Sequence, residues 1–260
     1  MARFPGTNEV RFDGQSKLSG PPLEAGAAGR SAPGCTDVTP PPRSTFFLGY
    51  ACLLTSAAVS GFVLNGLLRP ISLPPATPLL VAHGLLMLAW YGALILQTAL
   101  VRTGQTGLHR RLGVGSLAIV GGMLGTAVPV ALGAYEPGSG ESMVLPNAVM
   151  LLNFAGLYGL GLRALRRDLE THRRLMVLAG AALLGPSLGR ICAATGAPVL
   201  LMPALWIGLL APLWVYDWRR LARIHLATGI GSVCVVLLVL VAAVLSSMAP
   251  VQFWLDGLLG

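Results

Sequence analysis

From residue 46 onward, long apolar runs alternate with short polar breaks, and the apolar runs fall at about 46–68, 78–101, 113–135, 143–165, 175–196, 199–216 and 227–248. Each approaches the ~20 residues that an α-helix needs to cross ~30 Å of hydrocarbon. The ten-residue alternation of a membrane β-barrel is missing. Lipid offers no hydrogen-bond partner, so a crossing segment must satisfy its own backbone, and runs of this length do so as helices. The pattern predicts an all-α integral membrane protein with seven transmembrane helices, the sixth interrupted by Pro203 and Pro212.

Residues 1–44 read differently. They are polar, rich in Gly, Pro and Ser, and end in Pro40, Pro41, Pro42 and Arg43. Such a segment buries too little apolar surface to fold, so a disordered tail is expected over 1–44 and a seven-helix transmembrane domain over 45–260. The first apolar run starts too late to be a signal peptide.

Composition agrees: 54% of residues are hydrophobic and only 11% charged, against roughly 25% charged in a soluble domain. The net charge of +8 does not imply nucleic acid, because the basic residues sit in short clusters between apolar runs. Arg102, Arg110 and Arg111 lie in one break, Arg163, Arg166, Arg167, Arg173 and Arg174 in another, and Arg219, Arg220 and Arg223 in a third. With seven crossings these breaks share one side, opposite Arg69, Glu136, Glu141 and Asp256. The positive-inside rule then predicts a cytoplasmic N-terminus and an external C-terminus. Lys17 is the only lysine among 18 basic residues, a bias typical of GC-rich bacterial genomes, so the expected location is a bacterial plasma (inner) membrane. Cys35, Cys52, Cys192 and Cys234 have no CxxC spacing and read as small core residues.

The three Arg-rich breaks resemble one another. Arg102 precedes His109 in Leu108-His109-Arg110-Arg111-Leu112, Arg166 precedes His172 in Thr171-His172-Arg173-Arg174-Leu175, and Arg219 precedes His225 in Arg223-Ile224-His225-Leu226. This predicts one helix followed by three parallel two-helix hairpin repeats, the third copy weakest for want of the Arg pair. Three of the four histidines occupy this one position. Imidazole suits a transition metal or the iron of haem b, and Asp217 is placed to join as ligand or as a second acceptor. The competing reading is that these histidines and arginines contact lipid phosphate at the interface.

The fourth histidine, His83, lies roughly 9 Å below the external boundary and about 27 Å from the inner end of its helix, at ~1.5 Å per residue. One metal or haem therefore cannot join it to the inner trio. Arg190 shares its depth, and Asn147 and Asn153 enter the outer half of span four. A charge within a span needs a partner or a wet cavity, so His83, Arg190, Asn147 and Asn153 are expected to line an outer polar pocket for a quinone, an anion or a small-molecule head group. The alternative is that Arg190 snorkels to the surface. Gly121 and Gly125, with Gly156, Gly159, Gly180, Gly185 and Gly189, read as close helix-packing positions. Trp214, Tyr216 and Trp218 read as an interfacial belt. No phosphate-binding loop, HExxH motif or Ser–His–Asp order is found.

The pieces His83-Gly84 to Trp90, Gln97, Leu108-His109-Arg110-Arg111-Leu112-Gly113, His172-Arg173-Arg174-Leu175-Met176, Gly185-Pro186 to Arg190, Tyr216-Asp217 and His225 resemble a group of small bacterial multi-pass membrane proteins that carry no assigned activity. The resemblance covers about residues 46–255 and implies the seven-span fold. Members often have a second histidine just before the one matching His83, where this chain has Val81 and Ala82. The string His109-Arg110-Arg111-Leu112-Gly113 is also similar to membrane b-type cytochromes and ferric-reductase-like proteins, which implies haem. Three functions stay open: a haem- or metal-binding membrane redox protein using the inner histidines, which we take as the leading expectation; a transporter or permease; and a non-catalytic sensor or assembly protein.

Overall fold

A computed structural model describes residues 45–70, 75–135 and 143–259. The tail expected over 1–44, and Glu136 and Glu141, lie outside the described residues. Everything described is helical or connecting chain: α1 Phe46–Leu68, α2 Pro78–Thr103, α3 Thr106–Gly133, α4 Val144–Ala164, α5 Leu169–Ala182, α6 Gly185–Thr195, α7 Leu201–Leu221, α8 Leu226–Val233, a π-helical turn Cys234–Leu238, α9 Val239–Ser246 and α10 Ala249–Leu259. Local chemistry sets many ends. Thr77 caps α2 by accepting from Leu80 N–H, with Pro78 at the first position, where no donor is missed. Gly104, at φ 82°, lets the chain turn out of α2. Asp168 caps α5 by accepting from Glu170 and Thr171. The Thr171 hydroxyl also donates to Asp168, and these bonds hold its carboxyl below the usual range.

Six helical stretches are each long and apolar enough to cross a bilayer, and α5 with α6, bent by 41°, makes a seventh crossing. Contacts at the two ends of the bundle require that seventh crossing. At one end, Arg173 of α5 lies over Phe47 of α1, and Arg174 bonds Asp217 near the end of α7. At the other, Arg69 after α1 donates to Ala193 O near the end of α6. The α5–α6 pair therefore runs from the arginine-rich end to the far end, and α7 returns. This is an all-α multi-pass membrane protein. Large apolar side chains such as Val114, Leu152 and Leu226 are 69%, 73% and 74% exposed, a surface suited to lipid.

Several expected boundaries move outward. α3 begins at Thr106 rather than 113, α5 at Leu169 rather than 175, and α7 runs to Leu221 rather than 216. The polar Arg-rich segments are thus helical continuations of the spans: arginine is a good helix former, and Asp168 caps the start of α5. Two of the expected hairpins, α2–α3 and α4–α5, pack along their length. In the third the partner helix differs: α8 and α9 pack chiefly on α5 and α4 rather than along α7.

The fifth crossing breaks at Leu183–Leu184, just before Pro186. A break in lipid needs substitute hydrogen bonds. Tyr91 hydroxyl donates to Gly180 O at 2.9 Å, and Trp206 Nε1 donates to Ala181 O at 2.8 Å. Ser187 hydroxyl reaches across to Ala57 O and Ala58 O of α1 at 2.7 and 2.8 Å. The glycines read as packing positions divide. A Cβ on Gly121, Gly125, Gly156 or Gly159 would meet nothing within 4 Å, so these do not make the expected close approach. Close approaches occur at Gly180 and Gly185 and, unflagged by sequence spacing, at Gly61, Gly161 and Gly231.

Candidate functional site: a polar seam between α2 and α3

On α2, His83, Trp90 and Gln97 recur every seven residues and so share one face. Opposite them α3 carries His109, Ser116 and Thr126. The far end of the seam is closed by a bond between His83 Nδ1 and Thr126 Oγ1 at 3.0 Å. Near its middle, Ser116 hydroxyl bonds Tyr158 hydroxyl of α4 at 2.9 Å, and Trp90 packs edge-on against Tyr158 and Phe154. At the arginine-rich end, Gln97 lies beside Gly113 and His109. Between the first two levels sit Leu86, Met87 and the fully buried Met123.

Three polar atoms along this seam are buried without a partner: Trp90 Nε1, Gln97 Oε1 and His109 Nδ1. One is a donor, one an acceptor, and the imidazole nitrogen can be either. The Gln97–His109 level and the Trp90–Ser116 level are separated by seven residues on each helix, about 10 Å at ~1.5 Å per residue. Sequence reasoning singled out His109 and His83. It missed Gln97 and Ser116 as site residues, although the seven-residue spacings His83–Trp90–Gln97 on one run and His109–Ser116 on the next were visible and point to them.

His172 flanks the same region. It is the fourth residue of α5, as His109 is of α3, and the two imidazoles lie close enough for a charge on one to bear on the other. His172 Nδ1 is 2.8 Å from Gly161 O. A carbonyl only accepts, so Nδ1 carries the proton and Nε2 keeps its lone pair. His225 departs from the expected equivalence. It is the N-cap of α8, not a first-turn residue, and its Nδ1 accepts from Ala227 N–H.

Asp217 is likewise committed. One oxygen takes both Nε and Nη2 of Arg174 at 2.9 and 2.7 Å, and the other accepts from His225 N–H at 3.0 Å. Arg174 and Asp217 side chains are both 0% exposed. The four donors His109, His172, His225 and Asp217 therefore do not fit one metal or haem. His225 spends its Nδ1 lone pair on a helix cap and Asp217 its carboxylate on a buried ion pair, and among the described residues no three His, Cys, Asp or Glu are grouped to hold a metal.

The outer-pocket residues also find separate partners. His83 points to α3. Arg190 lies over the Phe62 ring of α1 at 4.3 Å and donates to Pro186 O. Asn153 donates to Cys234 O, at the π-helical turn, at 2.7 Å. α2 packs on α1 and α3, while α6 packs on α1 and α7, so α1 stands between His83 and Arg190. Asn147 is half-buried on the first turn of α4. None of the four bonds to another among the described residues.

Neither a family model, nor a curated protein, nor a solved structure matches the chain.

Proposed function

We propose that this chain is a plasma-membrane permease for small neutral solutes that both donate and accept hydrogen bonds, with the α2–α3 seam as its path and the arginine-rich end in the cytoplasm. The observation that carries the reading is the set of unpartnered atoms at Trp90, Gln97 and His109. In lipid each such group costs several kcal/mol, and a solute passing along the seam supplies the missing bonds. Leu86, Met87 and Met123 act as the apolar barrier before the His83–Thr126 end. Proteoliposomes tested by stopped-flow light scattering with glycerol and urea should equilibrate several-fold faster than protein-free vesicles. Gln97→Leu and His109→Leu should remove the gain. Rates equal to empty vesicles for both solutes would sink the reading.

Orientation follows from the arginines at one end. Reporter fusions after Gly140 and Gly260 should read external, and those after Thr106 and Asp168 cytoplasmic. A cytoplasmic signal at Gly140 would reverse it.

A second reading, a redox protein seating a transition metal or haem iron on His109 and His172 alone, is supported by the free Nε2 of His172. An optical spectrum and metal analysis of the purified protein separate the two: a Soret band or stoichiometric metal lost in His172→Gln supports the redox reading.

A further inference from the structure

A second group of unpartnered polar atoms lies at the arginine-rich end, away from the seam. Tyr216 is 9% exposed and its hydroxyl bonds to nothing; Arg173 Nε is buried and equally unpartnered. Tyr216 stacks on Phe46 at 4.1 Å and meets Phe47 edge-on at 5.3 Å. Guanidinium groups surround this pair of rings. Arg173 lies 4.8 Å over Phe47, and Arg174 and Arg220 each lie 5.9 Å from the Tyr216 ring.

The charges do not balance locally. Arg174 is neutralised by Asp217, and Glu170 is shared between Arg173 and Arg174. Arg220 has the Tyr216 ring and no carboxylate among the described residues. Three guanidiniums thus face two carboxylates, with a phenol hydroxyl and a planar Nε–H still unused. Guanidinium and phenol donors suit the several acceptor oxygens of a phosphate. Aromatic rings hold the arginines in place, so little side-chain freedom is lost on binding.

We infer that Tyr216, Arg173 and Arg220 form a binding site for a phosphate group, either the phosphodiester of an anionic lipid head group or free phosphate. Its position at the end of α1, α5 and α7 is where a lipid phosphate would lie. The site does not depend on the permease reading, since it shares no residue with the seam.

The test uses the full chain purified in mild detergent, with binding followed by native mass spectrometry and thermal shift. The probes are phosphatidylglycerol, phosphatidylcholine and inorganic phosphate. Retention of phosphatidylglycerol over phosphatidylcholine identifies the lipid as the source; stabilisation by inorganic phosphate alone identifies the free ion. In either case Arg220→Gln should weaken binding by about tenfold and Tyr216→Phe by about fivefold, the size of one hydrogen bond lost. Arg102→Gln, which removes the same charge from the last turn of α2, should leave binding unchanged. Both variants are conservative at positions that need not perturb the fold: Arg220 is exposed, and phenylalanine keeps the Tyr216 ring stacking. No binding of either phosphate probe, or equal weakening by Arg102→Gln and Arg220→Gln, overturns the assignment.

Discussion

Replacing Asp217 by alanine should destabilise the folded protein by about 3–5 kcal/mol, because it strands a buried cation. Arg174 and Asp217 are both fully buried, and Arg174 Nε and Nη2 converge on a single carboxylate oxygen. Glu170 also reaches Arg174 Nη1 at 2.5 Å, but its side chain is half exposed and it is shared with Arg173. It cannot offset the loss of Asp217. The substitution removes a second interaction as well, the acceptor for His225 N–H at the start of α8. The effect should appear as a large fall in melting temperature in detergent. Arg174→Met with Asp217→Leu should recover most of the loss, since the apolar pair leaves no charge behind. A cost below about 1 kcal/mol for Asp217→Ala would mean that water reaches Arg174 and that the pair is not closed.

Gly61→Ala should cost about 3 kcal/mol, at the upper end for an overpacked interior. An alanine Cβ there would lie 2.2 Å from both the carbonyl oxygen and the hydroxyl of Ser187, and 2.7 Å from its carbonyl carbon. A side chain can rotate away, but the α6 backbone cannot move without loosening the Ser187 bonds to Ala57 and Ala58. Those bonds tie α6 to α1 just after the α5–α6 break. Gly121→Ala, where a Cβ meets nothing within 4 Å, should be neutral or slightly stabilising. Thermal unfolding of the two variants side by side decides the matter. Equal stabilities would show that α1 and α6 do not cross as closely as described.

Both predictions concern how the bundle holds polar groups and backbone inside lipid, and the candidate seam is the exception that makes it of interest. At the helix break, Tyr91 and Trp206 donate to the carbonyls of Gly180 and Ala181, and Ser187 ties α6 to the α1 backbone. At the π-helical turn Asn153 does the same for Cys234 O. Against that background Trp90 Nε1, Gln97 Oε1 and His109 Nδ1 stand unsatisfied together. The backbone interruptions are partnered, whereas these side-chain atoms, like Tyr216 hydroxyl and Arg173 Nε at the arginine-rich end, are not.

Run length alone shows that the chain is helical and crosses a membrane, and it places α1 at the bounds the structure has. The reason is that hydrocarbon thickness and backbone satisfaction act on each segment alone, so run length carries the answer. The matching positions of His109 and His172, each the fourth residue of its helix after a short loop, were legible for the same local reason. Tertiary structure decided the rest. Only packing shows that Asp217 is spent on Arg174, because the two are 43 residues apart. The same holds for Gly61, which lies far from Ser187 in the chain and matches no repeat. Arg190, expected beside His83, turns instead to Phe62, because α1 lies between their helices. Helix order around a bundle is set by which faces fit together, and in lipid, where apolar side chains gain little by leaving their solvent, that fit depends on small residues and hydrogen bonds whose partners lie on other helices.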